Sequence, residues 1–254
     1  MTRELRTLIN KVRRLASEIR VDLGARDPKT APQVVALFMF AKAYKSYQAA
    51  ILLFREGFWQ DAATISRTLL ELGFRARWFS KDPELASELF VTGLRRDRLK
   101  LLRTLTVSGD NEVRAEADAL LKELRTAENI DTTWRNWWAD ESNIEKLAGS
   151  INYQRVYNLQ YRHLSWFVHS SPIAEKYYVR EASPGTLSVL IDCKPDPPSR
   201  EHREFAETLL SSGAAGMMDV LAMVDTVFEL GGQAQFDRLE ATFRTYAAAA
   251  NPET

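Results

Sequence analysis

The chain has 254 residues, with 34 Lys and Arg balancing 34 Asp and Glu, 45% hydrophobic residues and a single cysteine, Cys193. Neutrality argues against a general nucleic-acid binder, and one cysteine excludes an internal disulfide and a cysteine-based zinc site, which suits a reducing compartment. The longest apolar run, Val34–Ala41, is too short to span a bilayer, and the N-terminal M-T-R-E-L-R-T-L carries no apolar signal segment, so a cytoplasmic protein without membrane association is expected.

The zero net charge hides an asymmetry. Residues 1–103 hold 20 Lys and Arg against 11 Asp and Glu, a balance of +9, and the remainder holds 14 against 23, or −9. Such a split favours head-to-tail association or leaves a basic face for a polyanion; the plainer alternative is two solvated helical faces. With only 11 Gly and 9 Pro, and no alternating Val and Ile runs, the composition points to long helices. The expected fold is all-α: one domain over 1–254, an antiparallel bundle of about eight helices with one small β-hairpin.

Residues 3–23 form an amphipathic helix in which Leu5, Leu8, Ile9, Val12, Leu15, Ile19 and Leu23 follow the 3.6-residue period, ended by Gly24 and Pro28. A second helix starts near Thr30, with Pro32 in its first turn, and runs to about Glu56; it is apolar on most sides and so belongs at the centre. The third, 59–81, contains R-T-L-L-E-L-G-F-R-A-R-W-F, with Arg67, Glu71 and Arg75 four apart on one face. A charged row in an apolar helix is exposed, paired or functional. The next helix, 83–106, bears a basic ridge from Arg95 to Arg103, and 110–129 is polar and peripheral. Residues 131–149 combine W-R-N-W-W, read as an irregular cap over the core, with a short helix beginning near Ser142.

A helix over 153–170 follows, stopped by Pro172. Tyr177–Arg180 and Leu187–Cys193 flank S-P-G-T as a hairpin. A long helix runs from Ser199 to about Leu230, its S-S-G-A-A-G segment offering a small-residue face at Gly213–Gly216, and a last helix spans 233–249. The central layer is expected from the helices at 30–56, 59–81, 153–170 and 199–230.

Phosphate-cradling loops, H-E-x-x-H, the E-x-x-H pairs of four-helix carboxylate metal sites and G-x-S-x-G are all missing, so neither a metal nor a cofactor is expected. Arginine and histidine remain. Arg162 and His169 lie two turns apart on one helix face, about 10 Å at Cα, and Tyr161, Ser165 and His169 step by four beside them. A histidine near neutral pKa moves a proton, and an arginine grips a phosphate in bidentate fashion. Glu71 is a candidate to orient either residue. The plainer alternatives are a His169 bonded to a neighbouring helix, and an ion pair of Glu71 with Arg67 or Arg75. His163 and His202 read as packing or surface residues.

The Arg162–His169 spacing is similar to the loose R-x4–6-H pattern of the HEPN superfamily, helical bundles that often dimerise and cut RNA without a metal. A second resemblance rests on more residues. Arg67–Glu71 (R-T-L-L-E), the Asp82-Pro83 break, and Y-x3-S-x3-H-S-S at Tyr161, Ser165, His169, Ser170 and Ser171 together resemble the bacterial family called domain of unknown function 5677, over roughly 30–195. That resemblance implies a helical fold and a polar constellation of Arg67, Glu71, Tyr161, Ser165 and His169, with Arg162 outside it and Glu71 close to His169.

Two functional classes follow. One is an HEPN-like, metal-independent ribonuclease or nucleotide-binding protein of stress response or phage defence. In it His169, Arg162, Glu71 and Arg67 act catalytically, Ser165, Tyr161 and Arg75 bind ligand, and RNA or a nucleotide is the partner of a homodimer. The other is a non-catalytic helical interaction module in which the same cluster is a buried polar network.

Overall fold

The computed structural model describes residues 1–105, 111–126, 143–168, 179–183, 186–189 and 200–250. The first three helices are α1 (Arg3–Gly24), α2 (Ala31–Arg55) and α3 (Trp59–Phe79), followed by α4 (Pro83–Leu105) and α5 (Asn111–Thr126). Then come the short α6 (Asn143–Ser150) and α7 (Gln154–Val156), a π-helical turn over Tyr157–Tyr161, and α8 (Arg162–Val168). Strands β1 (Val179–Ser183) and β2 (Thr186–Val189) precede the long α9 (Arg200–Phe228) and α10 (Gln233–Ala250).

The helix starts are set by local chemistry. Thr2 caps α1 through a bond from the Leu5 amide, and Thr30 caps α2 through one from Gln33, both at 3.4 Å, with Pro32 tolerated in the first turn because its missing N–H has no partner to lose there. The seven apolar residues of α1 that follow the helical period are all buried, against α9 and α10. Strands β1 and β2 pair antiparallel with Val179 opposite Val189, and the register slips between Glu181 and Ser183.

Helix α3 is the axis of the molecule, packed on α9, α2 and α8. Its crossing with α9 brings backbone onto backbone. A Cβ on Gly73 would lie 2.7 Å from the Cα of Gly216, and one on Gly216 would run into the carbonyl of Leu69. The small-residue face expected at Gly213–Gly216 is therefore consumed within the chain and offers nothing to a second copy. Helices α4 and α5 form a satellite with its own small core of Leu99, Leu102 and Ala117, joined across its surface by Arg98 and Glu116. The expected cap around W-R-N-W-W lies outside the described residues.

One expectation needs correction. The helix anticipated over 153–170 is not regular: it is α7, a π turn, then α8, and residues beyond Val168 lie outside the description. A π turn is wider than an α turn and admits an extra residue, at a cost in backbone geometry. Here the ring of Tyr157 stacks on that of Tyr161 at 5.2 Å, and Tyr161 is carried into contact with α3.

Candidate functional site

Arg67 projects from the middle of α3 toward the π turn and α8. It is only 8% exposed. Its Nε donates to the Ser165 hydroxyl at 3.1 Å and its Nη2 to the Tyr161 hydroxyl at 2.7 Å. The Ser165 hydroxyl in turn donates to the Tyr161 carbonyl at 2.9 Å, one helical turn back. The guanidinium carbon also stands 4.8 Å from the centroid of the Tyr161 ring, within cation–π range. A buried guanidinium is tolerated only where its donors find acceptors, and these two hydroxyls supply them.

The same residues of α3 build an aromatic seam. Phe74 lies 6.1 Å from Tyr161 on one side and meets Tyr153 edge-on at 5.8 Å on the other. Beyond Tyr153 comes a second arginine cluster that the sequence reading missed. Arg77 sits 4.4 Å over the Tyr153 ring and donates from Nε to Asp219 of α9 at 2.7 Å. The Asp219 side chain is 8% exposed, whereas that of Arg77 is 48% exposed. Burial pushes the Asp219 carboxyl up to about 7, although Arg77 beside it pulls the other way. Burial likewise raises the Tyr153 phenol to about 12, aided by the Asp219 charge and opposed by Arg77. The available signal was Asp219 itself, the one carboxylate in α9 between Glu207 and Asp225, set in an apolar run.

The sequence-predicted site residues divide. Arg67, Tyr161 and Ser165 are brought together. Glu71 instead pairs with Arg75 along α3, at 2.6 Å and partly buried, as the i, i+4 alternative anticipated. Arg162, the chain neighbour of Tyr161, is exposed. His163 is half-buried. His169, and with it the expected closeness to Glu71, lies outside the described residues, as do Ser170 and Ser171.

Chemically, the Arg67 guanidinium donates to two hydroxyls and supplies the positive charge of the cluster. Among the described residues no three His, Cys, Asp or Glu side chains lie together as a metal site requires. A cleft of about 330 Å³ opens elsewhere, between α1 and α10, lined by Lys11, Arg14, Glu18 and Arg238 among others. Among the described residues no helix is long and apolar enough to cross a membrane.

A family model described as a family of unknown function, DUF5677, matches residues 33–186. This span holds α2 to α8 and therefore every member of the Arg67 cluster. No curated protein and no solved structure matches the chain.

Proposed function

Since the chain belongs to DUF5677, a family of unknown function, its role must be read from its own side chains, and we propose that it is a non-catalytic helical interaction module whose polar cluster fixes the geometry of the bundle. The observation that carries this reading is Arg67, 8% exposed and bonded to Tyr161 and Ser165. A guanidinium already engaged by two hydroxyls serves to pin α8 and the π turn to α3. Buried polar networks of this kind specify one packing arrangement out of several apolar ones.

The competing reading is an HEPN-like ribonuclease or nucleotide-binding homodimer in stress response or phage defence, with His169 as acid and base and Arg162 or Arg67 as phosphate ligand. The exposure of Arg162 is what keeps it in contention. An RNA-cleavage and growth-toxicity assay separates the two. The wild type, Arg67→Met, Arg162→Ala and His169→Ala are compared, with thermal unfolding followed in parallel. The module reading expects no cleavage and no toxicity in the wild type, and a loss of stability in Arg67→Met. Cleavage by the wild type that a folded His169→Ala protein lacks would overturn it in favour of the ribonuclease.

A further inference from the structure

Helix α2 is apolar almost throughout, yet one of its faces is open to solvent. A surface helix ordinarily turns charged or polar residues outward. Here the outward stripe is Val34, Phe38, Ala41, Lys45, Leu52 and Arg55, with half-buried Gln48 completing alternate steps of four and three. Val34, Phe38 and Leu52 are between 50% and 59% exposed. Single exposed apolar residues are ordinary. The stripe as a whole steps by a mean of 3.5 residues, the period of a coiled-coil seam, with Val34, Phe38, Ala41 and Leu52 at its apolar positions and Lys45, Gln48 and Arg55 at its polar ones.

Helix α4 repeats the arrangement beside it. Val91, Leu94, Arg98 and Leu101 are exposed at steps of three, four and three. Phe38 of the α2 stripe packs on Phe90, the buried neighbour of Val91 in α4, ring centroids 5.4 Å apart. The charge on α2 is positive, and α4 turns basic after its exposed Glu84 and Glu88. Between Thr30 and Arg55 α2 carries Lys42 and Lys45 but no Asp or Glu, and the ridge from Arg95 to Arg103 holds a single acid, Asp97.

We propose that this face docks an amphipathic helix of a partner protein, one with an apolar heptad stripe flanked by Asp and Glu. The proposal rests on the interaction-module reading and names the partner chemistry that module requires. The charges decide the occupant. A second copy pairing α2 on α2 would set Lys42 and Lys45 of both chains in one seam with no carboxylate on that helix to answer them, a costly juxtaposition. The spacing decides against a lipid surface. An interfacial helix presents a broad apolar face, whereas a stripe stepping by three and four accepts one helix, knobs into holes.

The test uses the full chain and two synthetic helical peptides with the same leucine heptads, one flanked by Glu and one by Lys. Binding is followed by fluorescence anisotropy. The wild type is expected to bind the Glu peptide saturably and at least about tenfold more tightly than the Lys peptide, with the gap narrowing at high salt. The double variant Lys42→Glu/Lys45→Glu should reverse the preference. Phe38→Asp should abolish binding while its circular dichroism stays that of the wild type, since Phe38 is half exposed. Equal affinity for both peptides, or none for either, overturns the proposal. A dimer in sedimentation equilibrium that Phe38→Asp disperses overturns it in favour of a second copy, and Phe38-dependent binding to phosphatidylglycerol vesicles in favour of a membrane surface. None of these outcomes bears on RNA cleavage, so the two readings fail separately.

Discussion

Arg67 and Arg77 sit ten residues apart on α3, about 15 Å along its axis, at the two ends of one aromatic seam. Each stands over a tyrosine ring, and Phe74 lies between the two tyrosines. Their burial is opposite. Arg67 is buried together with Tyr161 and donates to two hydroxyls, whereas at Arg77 the acid is buried and the arginine side chain is half exposed. At Arg67 the cost of desolvation falls on a group that cannot shed its proton. At Asp219 it falls on a group that can take one up, and its carboxyl is raised accordingly. The second cluster thus contains a carboxyl that burial pushes up to about 7.

The largest expected effect comes from removing Arg77. Arg77→Met leaves Asp219 buried without its counter-charge, and at pH 8 the loss should be about 2–4 kcal/mol, below the range for a fully buried pair because Arg77 is half exposed. At pH 5 the carboxyl is neutralised by protonation and the loss should shrink. Urea unfolding at both values measures the difference, and equal losses would show that Asp219 is ionised throughout.

Next is Arg67→Met, expected to cost about 2–3 kcal/mol through two lost charge-assisted hydrogen bonds, by the same amount at pH 5 and pH 8. Tyr161→Phe should cost about 1–2 kcal/mol, because it strands a buried guanidinium N–H. A pH-dependent loss in either variant would erase the contrast between the clusters.

Asp219→Asn tests the titration itself. The wild-type carboxyl titrates near 7 in the folded chain against 3.8 for its ordinary value. Between these values the folded state holds a proton that the unfolded state has released. Stability from this source is thus full below the lower value and is lost as pH rises toward 7, by at most about 1.4 kcal/mol per pH unit. The Asn variant should gain on the wild type over that interval, and parallel profiles would place the titration elsewhere. The smallest effect belongs to Glu71→Gln, about 0–1 kcal/mol, since its pairing with Arg75 is partly solvated.

The fold was legible wherever one helix carries its own evidence. The buried face of α1 follows directly from the spacing of Leu5, Leu8, Ile9 and Val12, and the Glu71–Arg75 pair from a separation of four. The Arg67 cluster joins residues 98 and 94 positions apart, and a family resemblance brought its members into one list. Asp219 and Arg77 are 142 apart, and neither residue taken alone distinguishes a buried partner from a surface charge. Nothing in Y-N-L-Q-Y signals a π turn. The glycines were legible as small residues but not as a contact, since Gly73 and Gly216 acquire meaning only where their helices cross.

The π turn has a consequence for how this segment tolerates changes in length. It can be treated as an α-helix bearing one inserted residue, and a helix rotates by about 100° for each residue gained or lost. Deleting Leu159, whose side chain is 55% exposed, would let Tyr157–Tyr161 close into a regular α turn at no cost to the core. Closing the turn uses up the deleted residue, so α8 would keep its face toward α3 and Ser165 its place beside Arg67, whereas a deletion inside a regular α-helix would rotate all that follows by about 100°. The segment would gain in helical regularity and keep its grip on α3, so at this one turn a change of a single residue in length is absorbed and not passed on to α8.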